Sequence, residues 1–378
     1  MSPGALLIPN LGAEEGGDWR KQLEHPAPAT VARLWQLLFH PDSRSEPDQQ
    51  QLAWPTALGD IPNQPAFSWL EDSGGAVAWL PNDAAQRVAR EAGTELSGPA
   101  PDVVARVHDK AFAQRVAEAE SLLPRPLRSL ITVFDPAELA DAPAAIRAIR
   151  ERLASWPAWT GQRFTLKPRI GTSGRGRVPG EGRQLDETAI AGALPRLAER
   201  GGALLEPWLD RVQDLSVQLH VNERREITLL GTLEQKLSRS GLYEGHRGVV
   251  DWRGRISAGS KFDEALKEAG SDLARCAAQA GFHGACGADA FSFRIEEAGE
   301  EPREVLRPVV EFNARFTTGT VVKGLVRRVL PRLGLEPGDT RPFEFVLDSR
   351  ANPPLASQLV FPLSAATDPL HPELRFEP

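Results

Sequence analysis

Glu311, Asn313 and Arg315 hold alternate positions in VLRPVVEFNARF, residues 305–316. In an extended strand they therefore project from one face, while Val310 and Phe312 project from the other. The preceding apolar run, GADAFSF at 287–293, carries one charge, Asp289, and the acidic turn EEAGEEPRE between the two runs would pair them as neighbours. Two carboxylates and an amide oxygen form a hard-oxygen set suited to Mg²⁺, which keeps waters and takes its remaining ligands from a nucleotide's phosphates. The plainer reading of the same residues is a solvated sheet face with an ordinary Glu–Arg pair.

A second stretch, FTLKPRIGTSGRGRV at 164–178, alternates like a strand through Lys167 and then sets Gly171, Gly174 and Gly176 among Thr172, Ser173 and three arginines. Glycine is needed where backbone N–H groups must approach an anion closely, so the stretch reads as a flap over phosphates. A surface lysine beside a flexible hairpin is the alternative. It is not a Walker A loop, because the lysine precedes the glycines instead of following them into a helix. In LLEPWLDRVQDLSV, at 204–217, Glu206 ends an apolar strand. Glu206 and the backbone of Trp208 and Leu209 could supply the acceptor and donor for a nucleobase edge, and Asp214 could accept from ribose hydroxyls. The bland version is a charged hinge.

The elements that must carry these groups follow from caps and periodicity. Asp109 is placed to cap a helix with Lys110 in its first turn and Phe112, Val116, Ala119 and Leu123 on one face. A second helical stretch runs from Asp135-Pro136 to near Trp156, a strand spans 163–168, and Asp186 starts a helix that stops at Gly201-Gly202 before the strand ALLEPW. From Val212 the pattern changes to antiparallel strands with a polar turn at 222–225, then a helix over 261–280 and the two strands above. The first 105 residues read as a small α/β unit, with strands at 5–8 and 76–80 and a helix at 30–39, closed by a Gly/Pro linker at 98–102. They contain no G-x-G-x-x-G motif.

Taken in order, a D-K opening, a strand lysine in LKP before a glycine-rich flap, a Glu-ended hinge strand and D…E-x-N-x-R resemble the ATP-grasp superfamily over about residues 105–320. The resemblance implies a mixed α+β and α/β fold of three parts. These are a small α/β N-terminal domain (1–105), a central α+β lid (106–207) and a larger C-terminal α+β domain with an antiparallel sheet (208–378). By the same resemblance ATP is bound with Mg²⁺ or Mn²⁺. Lys110, Lys167, Gly171, Thr172, Ser173, Gly174 and Gly176 would serve the phosphates, Glu206, Trp208, Leu209 and Asp214 the adenosine, and Asp289, Glu311 and Asn313 the metal. Arg315, with Lys167, would be catalytic. The implied reaction is an ADP-forming ligation of a small carboxylate to an amine or thiol; a small-molecule kinase and a non-catalytic nucleotide-binding regulator are the alternatives. The linker between Glu206 and Asp214 is a residue longer than in typical relatives, and the first 105 residues show no strong match to their usual N-terminal domain.

At 378 residues, 41% hydrophobic and 25% charged, with a net charge of -7, the chain has the composition of a globular protein that does not coat nucleic acid. Its N-terminus has neither the basic lead nor the apolar length of a signal peptide or membrane span, so the expectation is a cytoplasmic protein without membrane partners, free to form a homodimer. Cys276 and Cys286 read as reduced thiols. In EQKLSRSGLYEGHRG, at 234–248, Lys236, Arg239 and Arg247 could recognise an acidic substrate, and Tyr243 or His246 could assist a nucleophile, or the loop is only a basic surface. His220 and His283 read as structural, and the nine tryptophans as core and interface residues.

Overall fold

The computed structural model describes residues 4–46, 50–51, 55, 65–71, 74–171, 175–238, 242–296, 299, 301–364 and 370–378. The chain divides into two units. The first comprises Met1–Val107, Leu215–Ala288 and Asn313–Pro378; the second comprises His108–Asp214 and Asp289–Phe312. The strands Arg211–Val221, Gly284–Ile295 and Arg303–Asn313 each run on from one unit into the other.

In the first unit, the described N-terminal residues form a five-stranded sheet in the order Gln50–Gln51, Arg44–Ser45, Leu6–Ile8, Ala76–Ala78, Leu96–Ser97. Leu6–Ile8 pairs in parallel with both neighbours, and Ala76–Ala78 with Leu96–Ser97; parallel pairing requires crossovers, and the helix Pro26–Gln36 lies in the one from Leu6–Ile8 to Arg44–Ser45 while Asp83–Glu91 lies in the one from Ala76–Ala78 to Leu96–Ser97. Ile8, Ala76 and Ala78 pack on Trp19 and on the small residues Ala85, Val88 and Ala89 of the second helix. The fold class expected from the sequence, mixed α/β with an antiparallel C-terminal sheet, is the one found.

The larger sheet of this unit is built on Arg211–Val221 and Ile227–Leu237, joined by a tight turn in which Asn222 N–H donates to the Glu226 carbonyl (3.0 Å) and Arg225 takes a positive φ of 64°. It continues through Tyr243–Asp251, Thr340–Val346, Glu373–Phe376 and Leu359–Pro362. At Gly245 a Cβ would lie 2.0 Å from the Phe345 carbonyl oxygen, so this ladder position admits no side chain. The helix Thr318–Val329 is buried along nearly all its length, and its Arg328 donates from Nε to the Leu37 carbonyl (2.7 Å) and from Nη2 to the Phe39 carbonyl (3.0 Å). The Leu37 carbonyl caps the end of the helix Pro26–Gln36, where no intrahelical donor is left for it, and the Phe39 carbonyl lies just beyond.

The second unit contains a four-stranded antiparallel sheet ordered Thr132–Phe134, Ala203–Pro207, Arg163–Pro168, Val178–Glu181. The helices Ala142–Ala154 and Glu187–Glu199 bury Ile146, Ile149, Leu153, Ile190, Leu194 and Leu197. The sequence predicts one continuous helix after Pro136; instead Pro136–Leu139 ends, and Asp141 caps a new helix through Ala144 N–H (3.3 Å) with proline at its start. A side chain that satisfies the orphan N–H groups of a new helix makes the break cheap.

Candidate functional site

In RFTLKP, Phe164 and Leu166 go to the core, which turns Thr165 and Lys167 to the opposite face of Arg163–Pro168. Register pairs Thr165 with Glu206 and Lys167 with Leu204, so Lys167 and Glu206 are diagonal neighbours on that face. Lys167 Nζ lies 2.8 Å from Glu206 Oε1. On the other side, Arg307 Nη1 lies 3.0 Å from Oε2. It is off the hydrogen-bonding line, so Arg307 acts on Glu206 as a charge more than as a donor. Glu206 is 3% exposed and Arg307 0%. Burial raises the pKa of Glu206, but Lys167 and Arg307 outweigh it and hold the group at about 2. At Lys167 the balance is reversed: burial lowers the ammonium pKa against the pull of Glu206. The carboxylate with two cations is ionised.

Asp109 caps Lys110–Ala119 through Ala111 N–H (2.8 Å) and is gripped by Arg169, whose Nη2 is 2.5 Å from Oδ2. This fixes Lys110, the first residue of the helix. Its Nζ donates to the Gly171 carbonyl (2.6 Å) and lies 3.1 Å from Glu311 Oε2. The Asp289 side chain also hydrogen-bonds Glu311. Burial raises the pKa of Glu311; Lys110, Lys167 and that hydrogen bond bring it to about 2. A hard divalent cation fits two adjacent carboxyl groups, whose oxygens are the ligands it prefers. Among the described residues no group of three or more His, Cys, Asp and Glu gathers in this way.

Thr172, Ser173 and Gly174 lie outside the described residues. Of the flap glycines that remain, Gly176 has φ +76°, and a Cβ there would meet Arg200 Nη1 at 3.1 Å. At the hinge, Trp208 N–H donates to the Arg163 carbonyl (2.9 Å), which extends the sheet and leaves Leu209 as the hinge donor of the expected pair. Trp208 is flanked by the guanidinium groups of Arg177 (4.8 Å) and Arg211 (5.7 Å). Asp214 accepts from Arg211 at 2.6 Å.

The first unit holds the remaining two expected site residues, Asn313, which is buried, and Arg315. Arg315 Nε lies 3.0 Å from Glu14 Oε1, its Nη1 donates to the Phe316 carbonyl (2.9 Å), and the guanidinium sits 5.8 Å from the Trp79 ring centre. Arg315 also lines a cavity of about 480 Å³ together with His220 and His283. Burial, with His283 nearby, lowers the pKa of His220 to about 4, so it is neutral at pH 7.

The basic loop is a different matter. Lys236 pairs with Glu344, Arg247 pairs with Glu234 (2.6 Å), and Arg239 lies outside the described residues. Tyr243 Oη is 2.6 Å from His246 Nδ1. Burial lowers the pKa of His246 to about 3 and raises that of Tyr243, and His246 is 1% exposed, so this pair is a neutral internal hydrogen bond.

Sequence reasoning passed over Arg307 and Glu14. Arg307 had a signal: it stands on the face of Glu311, four residues earlier in an otherwise apolar run. Glu14 had none, since its partner is at the far end of the chain.

No family model and no curated protein matches the chain. Solved structures do. The biotin carboxylase domain of Hydrogenobacter thermophilus 2-oxoglutarate carboxylase, captured with MgADP and bicarbonate, matches 100% of this chain and 87% of its own at 14% identity, TM-score 0.53. Biotin carboxylase from Campylobacter jejuni with a β,γ-ATP ligand matches 98% and 87% at 14% identity, TM-score 0.52. Carboxyaminoimidazole ribonucleotide synthase from Aspergillus clavatus with ATP matches 98% and 93% at 13% identity, TM-score 0.52. At such identities the likeness is one of fold.

Proposed function

From an ATP-grasp fold as premise, we propose that this protein is an ATP-dependent ligase that activates a carboxylate as an acyl-phosphate and joins it to an amine or thiol, releasing ADP and phosphate. The observation that carries the reading is the alternation of charges in the second unit: Lys167 on Glu206, Lys110 on Glu311, and Asp289 on Glu311. Without nucleotide the lysines neutralise the carboxylates. With Mg-ATP the carboxylates have a metal to hold and the lysines have phosphates, so each group exchanges one opposite charge for another and none is stranded in a buried site.

Asp289, Glu311 and Asn313 would hold magnesium or manganese, which supplies charge neutralisation at the phosphates. Lys110 and Lys167 bind the phosphates, with the start of the flap at Gly171 already tied to Lys110. Glu206 and the Leu209 N–H orient adenine, and Asp214, once turned from Arg211, accepts from ribose. Arg315 holds the acid. A carboxylate oxygen attacks the γ-phosphorus as the bond to the β-bridging oxygen breaks, and ADP leaves with the electron pair. The nucleophile then attacks the acyl carbon, its proton is lost, and phosphate departs with the C–O electrons. Charge on the transferring group develops beside fixed cations, which is where preorganised donors lower a barrier most. The Hydrogenobacter domain was captured with MgADP and bicarbonate, the same pairing of nucleotide and acid. That domain was crystallised as a dimer, and a homodimer forms part of this reading.

Nucleotide chromatography with a panel of acids and hydroxylamine as nucleophile tests the proposal. ADP and a hydroxamate should appear together, only with a suitable acid. AMP with pyrophosphate, or ADP with a stable phosphorylated alcohol, would overturn it.

A further inference from the structure

The cavity of the first unit is walled mainly by apolar groups, Leu70, Val77, Phe282 and Phe316 among them, with Trp69 and His220 in a ring column. Phe67 stacks on Trp69 (5.1 Å, 15°) and Trp69 on His220 (4.2 Å, 13°), so one part of the wall is flat and rigid. Trp69 Nε1 is a buried donor with no hydrogen-bond partner.

The charges on the wall favour an anion. Glu14, which pairs with Arg315, is not part of the lining, and His220 contributes no charge at pH 7. Arg224 and Glu223 at the exposed rim oppose each other. Arg315 is therefore the charge that a ligand meets inside, on a guanidinium pre-oriented by Glu14 and the Phe316 carbonyl. Such a planar fork matches a carboxylate. Size argues against a one-carbon acid: about 480 Å³ is large beside the ~30 Å³ that one water occupies in the liquid, and it lies in the range of sites for molecules of many heavy atoms.

We propose that this cavity binds an organic acid with a flat, apolar body, its carboxylate on Arg315 and its ring against the wall formed by Trp69, His220 and Phe316. Its role as the acid to be activated rests on the ligase reading above; the binding does not.

Calorimetry without nucleotide separates the two. Phenylacetate is the probe, with acetate, phenethylamine and phenyl phosphate as comparisons. Wild-type protein should bind phenylacetate at least tenfold more tightly than any of the three. Arg315→Ala should weaken that binding at least tenfold, and Ser97→Trp, which fills the cavity from its wall, should weaken it similarly in protein whose melting transition is retained. Absence of phenylacetate binding, preference for the amine or the phosphate ester, or unchanged affinity in folded Ser97→Trp would overturn the proposal. If phenylacetate binds as expected while no acid elicits ADP release, the cavity stands and the ligase reading falls. If ADP release is elicited by small aliphatic acids while phenylacetate does not bind, the ligase reading stands and the cavity proposal falls.

Discussion

Arg307 and Glu14 are the side chains whose removal says most about the site. If Lys167 turns to a phosphate, Glu206 keeps one counter-ion, Arg307, and a buried carboxylate with none is costly. Arg307→Met should therefore weaken ATP binding at least tenfold at neutral pH and move the loss of binding on acidification to higher pH, because Glu206 loses a charge that lowers its pKa. Arg307→Lys should recover part of both, and calorimetric titration across pH checks it. Glu14 is 1% exposed on its side chain and Arg315 14%, so Glu14→Gln leaves a guanidinium short of its partner. The expected result is a rise of about tenfold in the acid's KM, read from acid-dependent ADP release, with nucleotide affinity nearly unchanged. A structural role alone would lower the melting temperature without that split. Lys110, Lys167, Glu206, Asp289 and Glu311 could be read from the sequence because strand alternation and a helix cap put each on a definite face. The use of the Trp208 N–H within the sheet and the Glu14–Arg315 pair could not, since both depend on which distant segments meet.

At the level of elements, caps position the chemistry as much as they end helices. Asp109 satisfies the first turn of Lys110–Ala119 and holds Arg169 at the same time. Asp109→Ala should cost about 1–2 kcal/mol of stability from the lost cap, plus a share from Arg169. Asp109→Asn should keep most of the cap but lose the ion pair. Both should lower turnover by letting Lys110 shift from Glu311 and Gly171, and denaturant titration beside ADP assays would separate the two contributions. Strands and capped helices in this chain were legible because their signals are local. The interrupted helix after Pro136 was not, because Asp141 and Pro143 compete with a periodicity that runs straight through them. Gly245 marks the opposite extreme: with the Phe345 oxygen 2.0 Å from where a Cβ would be, Gly245→Ala should abolish cooperative unfolding or lower the melting temperature sharply.

Across the whole molecule, the buried carboxylates tie stability to pH. Glu206 and Glu311 have folded-state pKa values of about 2 against an ordinary 4.5. The folded state binds fewer protons there than the unfolded chain does, so their contribution is fully present above pH 4.5 and is lost as pH falls through about 2. Urea midpoints should drop steeply in that window, and less so in Glu206→Gln; equal slopes in the two proteins would contradict the assignment. The path of the chain has a consequence of another kind. On the ribosome, the carbonyls of Leu37 and Phe39 emerge long before Arg328, which follows Leu37 by 291 residues. At ~5–20 residues/s the nascent N-terminal segment waits roughly 15–60 s for the side chain that closes its helix end. During that interval Trp35, Leu38 and Phe39, all buried in the finished protein, have no finished core to enter. The early segment is thus a natural client for a holding chaperone, and a premature stop before Arg328 should yield an aggregating product instead of a folded fragment.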